Sequence, residues 1–456
     1  MTRLSNLEGL DALHRISNPP EQHKDFNPLP LPNIPSHWSI VRFGALFTNR
    51  SEKGFSHLLP YSVSQQHGVT PQQYTDEEIV RSSADKSNYK RIAAGDIVYN
   101  KMRMWQGAVG VAPSEGIVSP AYVVCAPRTE LHQTYFYYLC LSPHYIAEFG
   151  KHSYGIVDDM NSLRFENFKT IYAIVPPLHE QRVIASYLDR ELATIDALIA
   201  KTEALNGLLS EKRTALISHA VAKGLDANVA LKGSGMEWLG EIPAHWDVKR
   251  LRYVVETGPK KSELRNTSSE LEISFLPMPA IGEQGALDLS EVKHVADVYD
   301  GYTYFCENDV IVAKITPCFE NGKGAIARQL LNGIGFGTTE LFVLRPGPDT
   351  HSDFIYYLTV SSRFRSVGTI SMQGAAGQQR VTNLFIKDYL LGFPPLNEQR
   401  AIADYLDRET AKIDRLMSKN DRLIDLLREK RTALISAAVT GKIAIPSVSS
   451  VPSVVK

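Results

Sequence analysis

The heptapeptide PPLHEQR at residues 176–182 returns as PPLNEQR at 394–400, and the residues behind it return as well. Tyr187-Leu188-Asp189-Arg190-Glu191 matches Tyr405-Leu406-Asp407-Arg408-Glu409, and Ile195-Asp196 matches Ile413-Asp414. EKRTALIS stands at both 211–218 and 429–436. The copies align with a shift of about 218 positions, and roughly two-thirds of the paired residues between Pro176 and Val221 are identical. A self-repeat of this length requires two helices doing the same job in one molecule, with the other segments arranged around them.

Leu188, Ile195, Thr202, Leu209 and Leu216 recur every seventh residue, with Leu198 and Leu205 between them. The second copy gives Leu406, Ile413, Asn420, Leu427 and Leu434, with Leu416 and Leu423. A 3-4 spacing held over about four heptads predicts two helices packed on each other as a coiled coil. A tandem duplication closing on itself favours an antiparallel pair with a pseudo-twofold. Thr202 and Asn420 are polar residues at the same seam position, expected to fix register near the middle and to face each other. The ends are marked by Pro176-Pro177, by Glu180 in the first turn where a carboxylate suits the dipole, and by Gly224 and Gly441. About 42 residues at 1.5 Å each make a rod of roughly 60 Å.

A second repeat precedes the first. NIPSHW at 33–38 returns as EIPAHW at 241–246, so both copies read IPxHW, a variable body, PPLxEQR and a long helix. The bodies read as mixed strand and loop with few long helical patterns. GDIVY at 95–99 and NDVIVA at 308–313 predict buried strands reached through a turn. Matching stations are Lys101 with Lys314, Ser119 with Thr338, and Tyr137-Tyr138-Leu139 with Tyr356-Tyr357-Leu358. This is one fold with diverged loops, as expected of a shared scaffold presenting two different binding surfaces.

At 456 residues the chain has room for about three units of roughly 150 residues. Its net charge of −1 argues against a binder that is basic throughout but leaves room for local basic faces. Cys125, Cys140, Cys306 and Cys318 are scattered, so neither a zinc site nor a disulfide framework is expected, and a reducing cytosol fits. No signal peptide is expected, because no apolar core follows a basic start, and no stretch of about 18 apolar residues is present. GPKKS at 258–262 and NGKG at 321–324 lack the spacing of a phosphate-binding loop, and no triad order or H-E-x-x-H stands out. No catalytic residue or metal ligand is therefore assigned. SNPPE at 17–21 resembles the N-P-P-aromatic signature of amino-methyltransferases, but Glu21 replaces the aromatic and no glycine-rich strand precedes it. A proline turn is the preferred reading.

The two IPxHW segments, the two PPLxEQR helices ending in EKRTALI and the two divergent bodies closely resemble the specificity subunit of type I restriction–modification systems. The resemblance covers residues 33–442, nearly the whole chain. It implies an α+β protein with two α/β-type target recognition domains separated by two long antiparallel coiled-coil helices, in an internal pseudo-twofold repeat. The layout is an N-terminal arm (1–32), recognition domain 1 (33–175), a central spacer helix (176–224) and a linker (225–240). Recognition domain 2 (241–393), a C-terminal spacer helix (394–442) and a disordered tail (443–456) follow. The arm is longer and more proline-rich than the common pattern.

In that family each body reads one half of a bipartite, asymmetric site on double-stranded DNA. The helices set the spacer and dock two methyltransferase (M) subunits, and restriction/translocase (R) subunits join through the complex. Such a chain is non-catalytic and cytoplasmic and carries no cofactor itself. S-adenosylmethionine, ATP and magnesium belong to its partners, which methylate adenine and cleave. Two other readings stay open: a self-contained DNA modification enzyme, and a non-catalytic two-domain coiled-coil scaffold.

Base reading requires side chains with paired donors or acceptors: Arg suits guanine, and Asn or Gln suits adenine. In the first body these are Gln65, Gln66, Lys101, Arg103, Trp105, Gln106 and Tyr154. KMRMWQ directly follows a predicted strand, which places its loop rigidly; the bland reading makes Met102, Met104 and Trp105 core. In the second body the candidates are Lys314 and Thr316 in the matching loop, and Gln378, Gln379 and Arg380 in the glycine-rich QGAAGQQRVT. That segment also fits an ordinary solvated loop. Lysines mostly hold phosphate. Helix capping explains Glu180 and Glu398 but not the repetition of Gln181, Arg182, Gln399 and Arg400, so these six residues are expected to form a shared partner-docking surface.

Overall fold

The computed structural model describes residues 23–24, 34–72, 86–155, 161–375 and 377–445. The chain divides into two compact units, Met1–Thr202 with Arg422–Lys456, and Glu203–Asp421. The long helices run over Leu178–Lys223 and Leu396–Val439, so each contributes to both units.

Unit 1 is built on two four-stranded sheets. One has the order Phe47–Asn49, Tyr122–Pro127, Ile97–Asn100, Val109–Val111, with every neighbour antiparallel. The other has the order Gly68–Pro71, Pro60–Ser64, Gly116–Val118, Lys90–Ile92, and its middle pair is parallel. Unit 2 repeats the plan with Val255–Thr257, Leu341–Pro346, Val310–Ala313 and Gly324–Ile326, and with Val292–His294, Glu272–Leu276, Ile334–Gly337 and Thr303–Cys306. Its parallel pair is Glu272–Leu276 with Ile334–Gly337.

The two expected buried strands are the centres of these sheets. Ile97, Val98 and Tyr99, and all of Val310–Ala313, are buried. Gly95 and Asn308 turn the chain into them at φ +86° and +69°. The next residue in each, Asp96 or Asp309, is buried, accepts from the backbone N–H three residues before it and is held by an arginine, Arg50 or Arg345. A buried carboxylate needs such a partner, because an unpaired buried charge carries a large desolvation penalty.

The sequence reading missed two consecutive nine-residue helices in each body, Gln133–Leu141 with Pro143–Lys151 and Ser352–Val360 with Ser362–Ile370. Both breaks fall on a serine (Ser142, Ser361) in an extended conformation, whose hydroxyl donates to the carbonyl three residues earlier. Such helices are too short to establish a periodicity.

The linker is also more structured than expected. Leu231–Gly233 pairs with Glu241–Pro243, as His23–Lys24 pairs with Ile34–Pro35 in the first copy, so the backbone leading into each IPxHW is satisfied by a short ladder. Ile443 and Ile445 pack half-buried on the core of unit 1, so the chain stays ordered past the expected start of the tail. Residues 446–456, 17–21 and most of the arm lie outside the described residues.

Antiparallel pairing of the helices holds within each unit. In unit 2 Arg213 meets Asp414 at 2.9 Å and Asn206 meets Asp421 at 2.8 Å, so one helix ascends as the other descends. In unit 1 Arg431 meets Asp196 at 3.2 Å, and Ala185, Leu188, Leu192 and Ile195 share a core with Leu427, Ile435, Ala438 and Val439. Asn420 donates to Asn206, and the Thr202 hydroxyl turns back to the Leu198 carbonyl, so the two expected polar seam residues do not bond to each other.

The intervening seam row also differs from the expectation. Leu198, Leu205, Leu416 and Leu423 are 40–43 % exposed, whereas Leu192, Thr410 and Ile424 are buried. The seam steps by four residues after Leu188 or Leu406, not three. Both rows carry charges toward the helix ends: the three-step row has Glu191, Lys212, Glu409 and Lys430, whereas Arg213 and Arg431 of the four-step row meet Asp414 and Asp196 on the facing helix, and a charge taken into a seam needs such a partner. We expect Leu192→Ala to lower stability by about 2–5 kcal/mol and Leu198→Ala by about 0.5 kcal/mol or less, read by urea denaturation. Equal losses would return the seam to the leucine row.

Candidate nucleic-acid interface

In unit 1 the strand Ile97–Asn100 runs directly into the KMRMWQ loop. The Asn100 side chain accepts from the Met102 N–H, its carbonyl accepts from the Arg103 N–H, and a single 3-10 turn, Met104–Gln106, closes the loop. Met104 is core, Met102 and Arg103 point outward, and the half-buried Trp105 donates its indole N–H to the Met102 carbonyl. Gln65 reaches the Gln106 carbonyl at 2.8 Å and its side-chain oxygen at 3.3 Å, bringing the two glutamines together. Gln66 is exposed next to them. The Leu163 N–H donates to the Lys101 carbonyl, and Ser162 bridges the exposed Tyr154, so the third candidate segment joins the same loop.

Unit 2 has the matching construction. Val381 N–H donates to the Lys314 carbonyl, Thr316 N–H to the Gln379 carbonyl, and Gln379 N–H to the Thr316 hydroxyl. The Lys314 ammonium sits 5.8 Å from the Phe342 ring centre. Gln378 and Arg380 are exposed and Gln379 is half-buried. The expected stations therefore coincide: Lys101 and Lys314 each follow the central strand, and Ser119 and Thr338 each accept from the N–H two residues on. The structure gathers all candidates of one body into one surface. By contrast the basic side chains of Arg250 and Arg252 are both bound to Asp388 within unit 2.

The PPLxEQR residues have an internal role, and for the two glutamines it corrects the docking expectation. Glu180 accepts from the Trp38 indole at 2.8 Å and meets His37 at 2.8 Å; Glu398 does the same with Trp246 at 3.1 Å and His245 at 2.7 Å. The IPxHW and PPLxEQR repeats are thus two halves of one clamp. Gln181 and Gln399 are 3 % and 0 % exposed, too buried to meet a partner. Gln181 accepts from the His132 N–H at the start of a body helix and donates to the Pro176 carbonyl. Gln399 likewise accepts from the His351 N–H and donates to Pro394 and Asp349.

Further along, Tyr138 donates to Asp189 and Tyr357 to Asp407, both at 2.6 Å. At the far ends the glycines close the clamp. A Cβ on Gly441, at φ +69°, would fall 2.5 Å from the Pro35 ring in unit 1, and one on Gly224, at φ +76°, 3.0 Å from Glu398 in unit 2. Arg182 and Arg400 remain exposed, Arg182 beside Glu130. Sequence reasoning placed Leu198, Leu205, Leu416 and Leu423 in the seam and did not single out Leu208 and Leu426; these six leucines are 40–63 % exposed at matching positions of the two helices.

Among the described residues no group of three or more His, Cys, Asp or Glu could hold a metal ion, and no helix is long and apolar enough to cross a membrane. The profile of the type I restriction modification DNA specificity domain matches residues 35–206 and again 243–423. The chain belongs to this family. It is 40 % identical over 186 residues to the type I restriction enzyme EcoAI specificity subunit of Escherichia coli, and 38 % identical over 188 residues to the EcoEI specificity subunit. These matches cover 40 % and 41 % of the chain but only 30 % and 31 % of those relatives. A chain solved in a study of complex assembly and conformational transition of the type I R-M system shares the fold at a TM-score of 0.64 and 16 % identity. That similarity spans 90 % of this chain and all of the other.

The clamp generates a prediction. Gln399→Ala strands the His351 N–H and two carbonyls in a buried site, which should lower stability by about 1–3 kcal/mol. An unchanged unfolding midpoint would remove the glutamine from the clamp.

Proposed function

We propose that this chain is the DNA sequence-specificity subunit of a type I restriction–modification complex, with each body reading one half of a bipartite, asymmetric site on duplex DNA. One observation carries this reading. Two bodies of the same topology present exposed polar side chains at the same station, the loop after the buried central strand, yet the residues there differ. A scaffold kept twice with its exposed loops changed is the arrangement needed to read two different sequences. Gln65, Gln66, Gln106 and Arg103 are the base readers of the first body, with Trp105 and Tyr154 available to stack; Gln378, Gln379, Arg380 and Thr316 serve the second. Lys101 and Lys314 hold phosphate.

Catalysis is assigned to partner subunits: adenine methylation with S-adenosylmethionine on two methyltransferase subunits, and ATP- and magnesium-dependent translocation and cleavage on restriction subunits, all in the cytoplasm. The long helices fix the number of bases between the half-sites. Their exposed leucines, with Arg182 and Arg400, are the surface offered to the methyltransferase subunits. Two sets at matching positions suit two copies of one partner.

Replacing residues 33–175 by a different recognition body is expected to change one half-site of the methylated motif, read by methylome sequencing; a change in both half-sites would overturn the two-reader scheme. Leu205→Glu with Leu423→Glu should weaken capture of methyltransferase subunits about ten-fold or more while the unfolding midpoint stays within a few degrees. Undiminished capture would place the docking surface elsewhere.

A further inference from the structure

The two bodies differ in one particular pair of side chains held by identical backbone. In unit 2 the Lys314 N–H donates to the Glu340 carbonyl at 2.9 Å and the Val381 N–H to the Lys314 carbonyl at 2.9 Å. In unit 1 the Lys101 N–H donates to the Ala121 carbonyl at 3.3 Å and the Leu163 N–H to the Lys101 carbonyl at 2.7 Å. Glu340 therefore stands where Ala121 stands. Arg380, just before Val381, stands where Ser162 stands, and each lies in an isolated bridge, to Gln373 and to Tyr154.

Only unit 2 has a charged pair at this place. Arg380 Nε lies 3.1 and 2.9 Å from the two Glu340 oxygens, Nη2 lies 2.9 Å from Oε1, and Nη1 donates to the Gln378 carbonyl at 3.2 Å. The guanidinium in turn holds the Glu340 carboxyl below the usual carboxylate range.

As a stability device this pair is weak, because exposed ion pairs add little to folding. It is also a poor phosphate site, since the carboxylate cancels the charge of the arginine and repels a phosphate. What it does supply is direction. With four contacts the guanidinium is fixed in orientation, and one N–H on each of Nη1 and Nη2 is left over. A neutral, oriented fork suits the O6 and N7 edge of guanine.

We propose that Arg380 reads a guanine in the half-site of the second body and that Glu340 is the positioning residue that aims it. The matching positions Ala121 and Ser162 give the first body a different reading at the same place. This rests on the DNA-reading function proposed above.

The test is selection from a randomised duplex library by the full chain assembled with its methyltransferase subunits, comparing wild type with Arg380→Lys, Arg380→Ala, Glu340→Gln and Glu340→Ala. Wild type should prefer guanine at one position of one half-site. Both Arg380 variants should lose that preference about 10- to 100-fold, with the other half-site unchanged. Both Glu340 variants should weaken the same preference while affinity for unrelated DNA at equal salt stays the same or rises, because a negative charge has been removed.

Arg380→Lys, on an exposed loop, keeps the charge and the fold, and unfolding midpoints check all four variants. The proposal is overturned if the guanine preference survives in the Arg380 variants. Glu340 variants that keep the full preference, or that lose affinity equally for all sequences, also overturn it, as does a change in the other half-site. A wild-type complex with no sequence preference overturns the DNA-reading function as well, whereas a bipartite preference indifferent to Arg380 overturns this inference alone.

Discussion

An indole N–H donating to a carboxylate in the first turn of a long helix fixes the geometry on which each unit depends. Glu180 takes Trp38 and Glu398 takes Trp246, and each carboxylate also sits where the helix dipole favours a negative charge. The neighbouring glutamine, fully shielded from water, ties the same turn to the start of a body helix. Two adjacent side chains thereby lock the lead-in segment, the body and the spacer helix together. The glutamine is buried, so it cannot be lost without leaving stranded polar groups in the interior.

From that fixed point the architecture separates constancy from variation. The clamp, the Tyr–Asp bonds and the Asp–Arg bonds between helices are repeated residue for residue. The loops after Ile97–Asn100 and Val310–Ala313 are free to differ because the strands beneath them are buried on both faces and do not shift when the loops change. Each buried aspartate that sets up the central strand is satisfied by an arginine from a different place in its body, Arg50 just after the strand Phe47–Asn49 in one and Arg345 within Leu341–Pro346 in the other. The requirement is kept while the residue meeting it has moved.

Much of this was legible in the chain alone. The repeat announced two equivalent helices, the apolar runs announced the central strands, and the matched lysines and hydroxyl residues fell at equivalent backbone positions. The direction in which the repeated Glu and Gln face was not legible, because their partners Trp38 and His132 lie far away in sequence and only folding brings them near. Nor was the choice of seam row. The row that is buried holds Ile199, Asn206 and Arg213 on one helix and Thr410, Ile424 and Arg431 on the other, so a search for leucines passes over it, and the aspartates that meet its arginines lie about 200 or more residues away in sequence. In the loops after the central strands the sequence located the segment but not the pairing of Arg380 with Glu340, which joins residues from two different loops.

Unit 1 is discontinuous, closing only when residues after Arg422 join those before Thr202. In synthesis from the N-terminus, the apolar face of Ala185, Leu188, Leu192 and Ile195 emerges long before Leu427, Ile435 and Val439 exist to cover it. At about 5–20 residues per second the wait is roughly ten to fifty seconds. During that interval the ridge has only its own body to pack on. The second long helix supplies the rest of its cover.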